Sequence, residues 1–173
     1  DVAIGSPDYT NGQTREGRAQ VYLGIPGGIE ASAAWTKDGN VAEAYFGGLV
    51  AGAGDVNADG YDDLLVRQNS DGSGVAGVLL YMGSGSGPGA FYAWSTTATE
   101  GLVNYPSHSM APAGDTDGDG YSDFLVGDAD YLSAGNRIGR VRLFRGGASG
   151  PAAMASWTVF GSQANAGWGR AVG

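Results

Sequence analysis

The chain has 173 residues, a formal net charge of −9, 33 glycines, 9 Tyr, 5 Phe, 4 Trp and no cysteine. That length fits one domain, and the acidic balance without a basic stripe argues against a nucleic-acid partner. Disulfides and Cys-His chemistry are excluded, no run of 18 apolar residues offers a membrane-spanning helix, and the glycine-rich, aromatic composition reads as short strands joined by tight turns.

In chain order, Asp1-Val2-Ala3-Ile4-Gly5-Ser6-Pro7 has the pattern that returns at residues 63–67 and 123–127. Residues 8–18 are polar and read as a loop. Residues 19–24 follow as a strand, 25–28 as a turn, and 33–37 as a strand anchored on Trp35. The small residues of 46–52 suit a strand packed closely against neighbours. The second pass gives strands at 64–68, 75–82 and 91–95, with a turn at 69–74 and a Gly/Ser/Pro linker at 83–89. The third gives strands at 109–113, 124–127, 140–145 and 155–160, a solvated loop at 128–139 that holds Asp128, Asp130 and Tyr131, and a linker at 146–151. Trp35, Trp94 and Trp157 occupy one station of a repeat of about 60 residues, where packing between repeats is their expected role. Residues 167–173 restate 46–51. The repeat units are 1–45, 46–105 and 106–167, with 168–173 as the first strand of a further or partner-completed blade.

Two of these units contain the same loop. Asp55-Val56-Asn57-Ala58-Asp59-Gly60-Tyr61-Asp62-Asp63 returns sixty residues on as Asp115-Thr116-Asp117-Gly118-Asp119-Gly120-Tyr121-Ser122-Asp123. Oxygen side chains stand at positions 1, 3, 5 and 9, a glycine at 6 permits a sharp turn, and the tyrosine at 7 can offer its backbone carbonyl. Calcium takes about six to eight oxygen ligands at roughly 2.3–2.6 Å, and this spacing supplies most of them from one short loop. An EF-hand opens the same way but ends in a bidentate glutamate at position 12, where this chain has Val66 and Val126 inside apolar, strand-like runs. A calcium loop in a β setting is therefore expected, about two ions per chain. The ligand positions of the loops hold seven of the 18 acidic side chains, so bound calcium would offset much of the charge. A unit of about 60 residues with four strands is the mark of a β-propeller blade, which needs neighbours to bury its faces.

Phe46-Gly47-Gly48, followed by Ala51-Gly52-Ala53-Gly54-Asp55 and the loop, resembles the FG-GAP repeat of integrin α-subunit heads. The resemblance covers nearly the whole chain as three repeats. It implies an all-β fold of about three four-stranded propeller blades, with calcium held between the first two strands of a blade. Carried over by position, the implied ligands are Asp55, Asn57, Asp59, the Tyr61 carbonyl and Asp63, then Asp115, Asp117, Asp119, the Tyr121 carbonyl and Asp123. Two departures stand out. Pro106-Ser107-His108 replaces the expected Phe-Gly, and three blades cannot close a ring of about seven. The chain is thus expected to be a segment of a longer propeller, or to pair head to tail as a six-bladed homodimer.

Catalytic chemistry is not expected. His108 is the only histidine, no G-x-S-x-G elbow occurs, and the carboxylates are better used as calcium ligands. The expected function is a secreted or cell-surface binding and adhesion module for a protein or carbohydrate ligand, not an enzyme. Alternatives are a lectin using Tyr45, Tyr105 or Trp168, an accessory propeller of a larger enzyme, or a self-assembling repeat unit.

Overall fold

The computed structural model describes residues 1–69, 76–96 and 108–173, with His108 through its backbone only. Among these residues there is no helix, and antiparallel strands carry the fold. The first sheet comprises β1 (Val2–Ser6), β2 (Arg18–Tyr22) and, after the small hairpin of β3 (Gly24–Ile25) and β4 (Gly28–Ile29), β5 (Trp35–Asp38). The second runs β6 (Leu49–Gly54), β7 (Asp63–Gln68), β8 (Gly77–Tyr81) and β9 (Trp94–Ser95). The third contains β10 (His108–Gly114) and β11 (Asp123–Asp128), then, beyond the hairpin β12 (Leu132–Ser133) and β13 (Asn136–Arg137), β14 (Arg140–Phe144) and β15 (Trp157–Phe160). Each sheet is an up-and-down meander in which chain neighbours are sheet neighbours, as in propeller blades, and the ring is not closed. Strand β6 lies beside both β1 and β10, so corresponding edges of the three sheets meet.

The middle sheet is covered on both faces, which is why every residue of β8 and the first five of β7 are buried, with Leu64–Val66 and Val78–Leu80 as their apolar runs. Alternation along β7 divides its side chains. Leu64 and Val66 join Ala19, Val21, Trp35, Phe46, Leu79 and Tyr81 in the core between the first and second sheets. Leu65 points the other way, to Val78, Leu80, Trp94, Phe124, Val126 and Phe144 between the second and third. Two tryptophans anchor these junctions alike. Trp35 meets the Tyr81 ring edge-on at 5.2 Å and donates its indole N–H to the Gly89 carbonyl at 3.1 Å. Trp94 meets Phe144 at 4.7 Å and Phe124 at 5.2 Å, and donates to the Ala152 carbonyl at 3.0 Å. Trp157, the third of the series, is 51% exposed.

Several local expectations are corrected. The stretch 128–139 is not a solvated loop: Asp128 ends β11, is buried, and accepts a 3.0 Å bond from Arg140, while residues 132–137 turn as a hairpin. The turn expected at 25–28 is present, as the turn of a small hairpin in which Pro26 and Gly27 connect β3 to β4. The strand expected from residue 46 begins at Leu49, because Phe46-Gly47-Gly48 bridges the first two sheets: the Phe46 amide donates to Glu16 O, just before β2, at 3.1 Å and the Gly47 amide to Arg67 O of β7 at 3.0 Å. Within the chain, residues 168–173 form no strand. The 69–74 turn (from residue 70), Val75, Tyr105, Pro106, Ser107 and the side chain of His108 lie outside the described residues.

Candidate metal centre

Both acidic loops join the first two strands of a four-stranded sheet, entered through the same irregularity. The β6–β7 register shifts between Gly52 and Gly54, and the β10–β11 register shifts between Pro112 and Gly114, which turns the chain out of the sheet just before Asp55 and Asp115. At position 6, Gly60 (φ 94°) and Gly120 (φ 91°) adopt the left-handed backbone that the turn requires and glycine tolerates.

The first carboxylate of each loop is clamped by the loop's own backbone. Asp55 accepts from the Asp59 amide at 3.0 Å and the Gly60 amide at 2.8 Å. Asp115 accepts from Gly118 at 2.7 Å, Asp119 at 3.1 Å and Gly120 at 2.8 Å. These donors, Gly120 foremost, hold the Asp115 carboxyl below its ordinary range. Position 5 is fixed in the same manner, by the Tyr61 amide on Asp59 at 3.0 Å and the Tyr121 amide on Asp119 at 3.1 Å.

Position 9 is different. Asp63 and Asp123 are buried at the loop roots. Asp63 accepts from the Val56 amide at 2.9 Å and the Gly83 amide at 2.7 Å; Asp123 accepts from the Thr116 amide at 2.9 Å, the Thr116 hydroxyl, and the Gly146 amide at 3.0 Å. Each therefore staples its loop to the linker after the third strand, with second lone pairs left for an ion. Burial drives the Asp63 carboxyl upward; its two amide donors oppose this, and the charges of Asp59 and Asp55 add to it. A cation would relieve that crowding.

The donor set fits a hard cation. Asp115, Asp117 and Asp119 can each place one oxygen within 4.8 Å of the others, and oxygens on opposite sides of a calcium ion lie about 5 Å apart. In the first loop position 3 is Asn57, which donates to Asp59 Oδ2 at 2.8 Å and accepts from the Asp59 amide at 3.1 Å. Two features escaped sequence reasoning. The loops are neighbours across a blade junction: the Asp55 carbonyl accepts from the Ser122 amide at 2.9 Å, and the Val56 carbonyl from Gly147 at 2.8 Å. In addition, Arg145 Nη1 lies 2.9 Å from Asp117 Oδ2. No spacing rule joins residues so far apart, although the repeat register would have located both.

Two of the aromatics expected as sugar platforms, Tyr45 and Trp168, lie among the described residues. Tyr45 is engaged by Arg15 at 2.9 Å and Glu43 at 2.6 Å, whereas Trp168 is 45% exposed and packs over Gly139 and Gly161.

Residues 55–126, from the first loop through the strand after the second, match the family model described as an FG-GAP-like repeat. This chain carries an integrin-like FG-GAP repeat. It is similar to integrin alpha-PS2 of Drosophila melanogaster, with 34% identity over 140 residues, covering 73% of this chain and 10% of that protein. It is also 31% identical over 128 residues to integrin alpha-6 of Gallus gallus, covering 73% of this chain and 12% of the relative. Integrin alpha-4 of Xenopus laevis is 26% identical over 131 residues, with the same shares. The FG-GAP chain thus spans about a tenth of the length of these relatives.

Proposed function

We propose that this chain is a non-catalytic propeller module for binding or adhesion, whose paired loops hold calcium as a structural ion. One observation carries the reading: two loops, far apart in the chain, share a framework in which amides pre-orient the first and fifth positions. Asp55, Asn57, Asp59, Asp63 and the Tyr61 carbonyl would hold one ion; Asp115, Asp117, Asp119, Asp123 and the Tyr121 carbonyl would hold the other. The ion neutralises crowded carboxylates and fixes the mouths of the loops; recognition falls to the blade surfaces around them. A secreted or cell-surface location accords with the integrin likeness and with weak calcium sites that fill only where calcium is plentiful.

An ion that binds only the folded state stabilises it by about 2.7 kcal/mol per site at a hundredfold excess over Kd. For a domain of this size two sites raise Tm on the order of 10 °C. Calorimetric scans in calcium and in chelator should show that difference, and identical scans would rule the calcium out. Carbohydrate is the second ligand class, favoured by the exposed pair Phe91 and Tyr92 beside Lys37 and Asp38, which line one cavity of about 230 Å³. Glycan-array binding that is lost in Tyr92→Ala would support it, and an array without hits would leave a protein ligand.

A further inference from the structure

We propose that Arg145 sets the cation affinity of the second loop, acting as a counter-charge to Asp117; this rests on the cation reading above. The two loops differ at position 3. At the ligand positions the first has Asn57 among the carboxylates of Asp55, Asp59 and Asp63, and the second has Asp117 among Asp115, Asp119 and Asp123, one more negative charge; the fourth aspartate of the first loop, Asp62, is exposed at position 8, outside that set, where the second has Ser122. The register places a compensating difference on the third strand of each sheet. Leu64 pairs with Tyr81 and Phe124 with Phe144, so the next residues, Met82 and Arg145, are counterparts. Only Arg145 is charged, and its Nη1 sits 2.9 Å from Asp117 Oδ2. Counting that guanidinium, the two sets of ligand positions present the same net charge.

The polar contacts at position 3 differ in the same sense. Asn57 supplies its own donor, Nδ2 to Asp59 Oδ2 at 2.8 Å. An ionised Asp117 has no donor to offer Asp119, and it has Arg145 beside it as an ion-pair partner instead. The guanidinium meets Asp117 at Oδ2. It is also a positive charge one side chain away from where a divalent cation would sit. Asp117 is 25% and Arg145 47% exposed, so solvent and salt limit the repulsion, and removing it should tighten the second site roughly three- to tenfold. Arg145 is a tuning residue, not a ligand.

The position-6 glycines report each loop separately, because the Gly60 amide donates to Asp55 Oδ2 and the Gly120 amide to Asp115 Oδ2, both at 2.8 Å. The experiment is a calcium chloride titration of the full chain followed by amide NMR, on the wild type, Arg145→Gln, Arg145→Lys and the double variant Asp117→Asn with Arg145→Gln. In the wild type, Gly60 and Gly120 should titrate at comparable calcium concentrations. In Arg145→Gln, Gly120 should titrate at several-fold lower calcium while Gly60 stays in place, which also controls for the fold. Arg145→Lys keeps the charge and should restore the wild-type midpoint, and the double variant should return Gly120 towards it. A Gly120 midpoint unmoved or weakened in Arg145→Gln, with both glycines still responding, overturns the inference alone. If neither glycine responds in the wild type up to millimolar calcium, the cation reading falls and takes this inference with it.

Discussion

At the scale of single residues, the two loops are natural variants of one design, and their differences make testable comparisons. Position 4 is Ala58 in one and Gly118 in the other, both left-handed, with φ of 57° and 78°. Nothing would crowd a Cβ at Gly118, so only backbone strain separates the two residue types there. Gly118→Ala should therefore cost about 1 kcal/mol, and Ala58→Gly should gain somewhat less, as urea unfolding in chelator would show. Asp38 offers a pH comparison outside the loops. Its oxygens accept from Arg18 Nε at 2.6 Å and Arg18 Nη2 at 2.8 Å, and Asn11 adds a bond of 3.1 Å. The Arg18 bonds, against a smaller opposing effect of burial, hold its carboxyl below the ordinary value. A depressed folded-state pKa gives stability that is present above the unfolded pKa and lost as pH falls through the folded one. Asp38→Asn should therefore be less stable than wild type at pH 7 and converge on it only at acid pH, as pH falls below the ordinary carboxylate range. Equal gaps at both pH values in urea titrations would show that the charge is not what matters.

At the scale of elements, the tryptophans separate packing from exposure within one repeat station. Trp94→Ala empties a pocket walled by Phe124 and Phe144 and strands the Ala152 carbonyl, so a loss of about 3–5 kcal/mol is expected. Trp157→Ala, at the exposed counterpart, should change the stability of an isolated chain by roughly 0.5 kcal/mol or less. Denaturant curves of the two variants side by side check both numbers. This contrast also shows what the sequence could reveal. The station itself was legible because an aromatic recurs at a fixed period, and the loops were legible because oxygen side chains, glycine and tyrosine recur in one order. The surroundings of each copy were not. Asp128 looked like a loop residue because its partner Arg140 sits twelve positions on, across a hairpin that no alternating pattern announces. Phe46-Gly47-Gly48 looked like strand because small and apolar residues run straight into β6, whereas its hydrogen bonds go to Glu16 and Arg67. The position-9 aspartates read only as ligands, and their work as staples to Gly83 and Gly146 depends on the third strand of the sheet.

At the scale of the molecule, each internal junction uses the same parts: an indole, an aromatic at the end of the next sheet's third strand, and a carbonyl in the turn that follows. Those turns are superposable in their hydrogen bonds. The Gly89 amide donates to Met82 O at 2.9 Å, the Ala152 amide to Arg145 O at 3.1 Å, and in the first sheet the Glu30 amide donates to Leu23 O at 2.9 Å. The first sheet therefore owns a complete receptor: Tyr22 at the aromatic station, the Glu30 carbonyl as acceptor, and Val2 and Ile4, 41% and 46% exposed, where Leu64 and Val66 stand in the second. The exposed Trp157 is the matching anchor. We propose that two copies can associate head to tail, with each Trp157 seated on the other's first sheet. Sedimentation over a hundredfold range of concentration should show a monomer–dimer equilibrium that Trp157→Ala abolishes and Trp94→Phe leaves in place. Trp157 emission should shift to shorter wavelength as the dimer forms, since the indole leaves water. A monomer at every concentration would mean that the receptor on β1 and β2 is not shaped for this chain's own Trp157, and that the face is matched to a different blade.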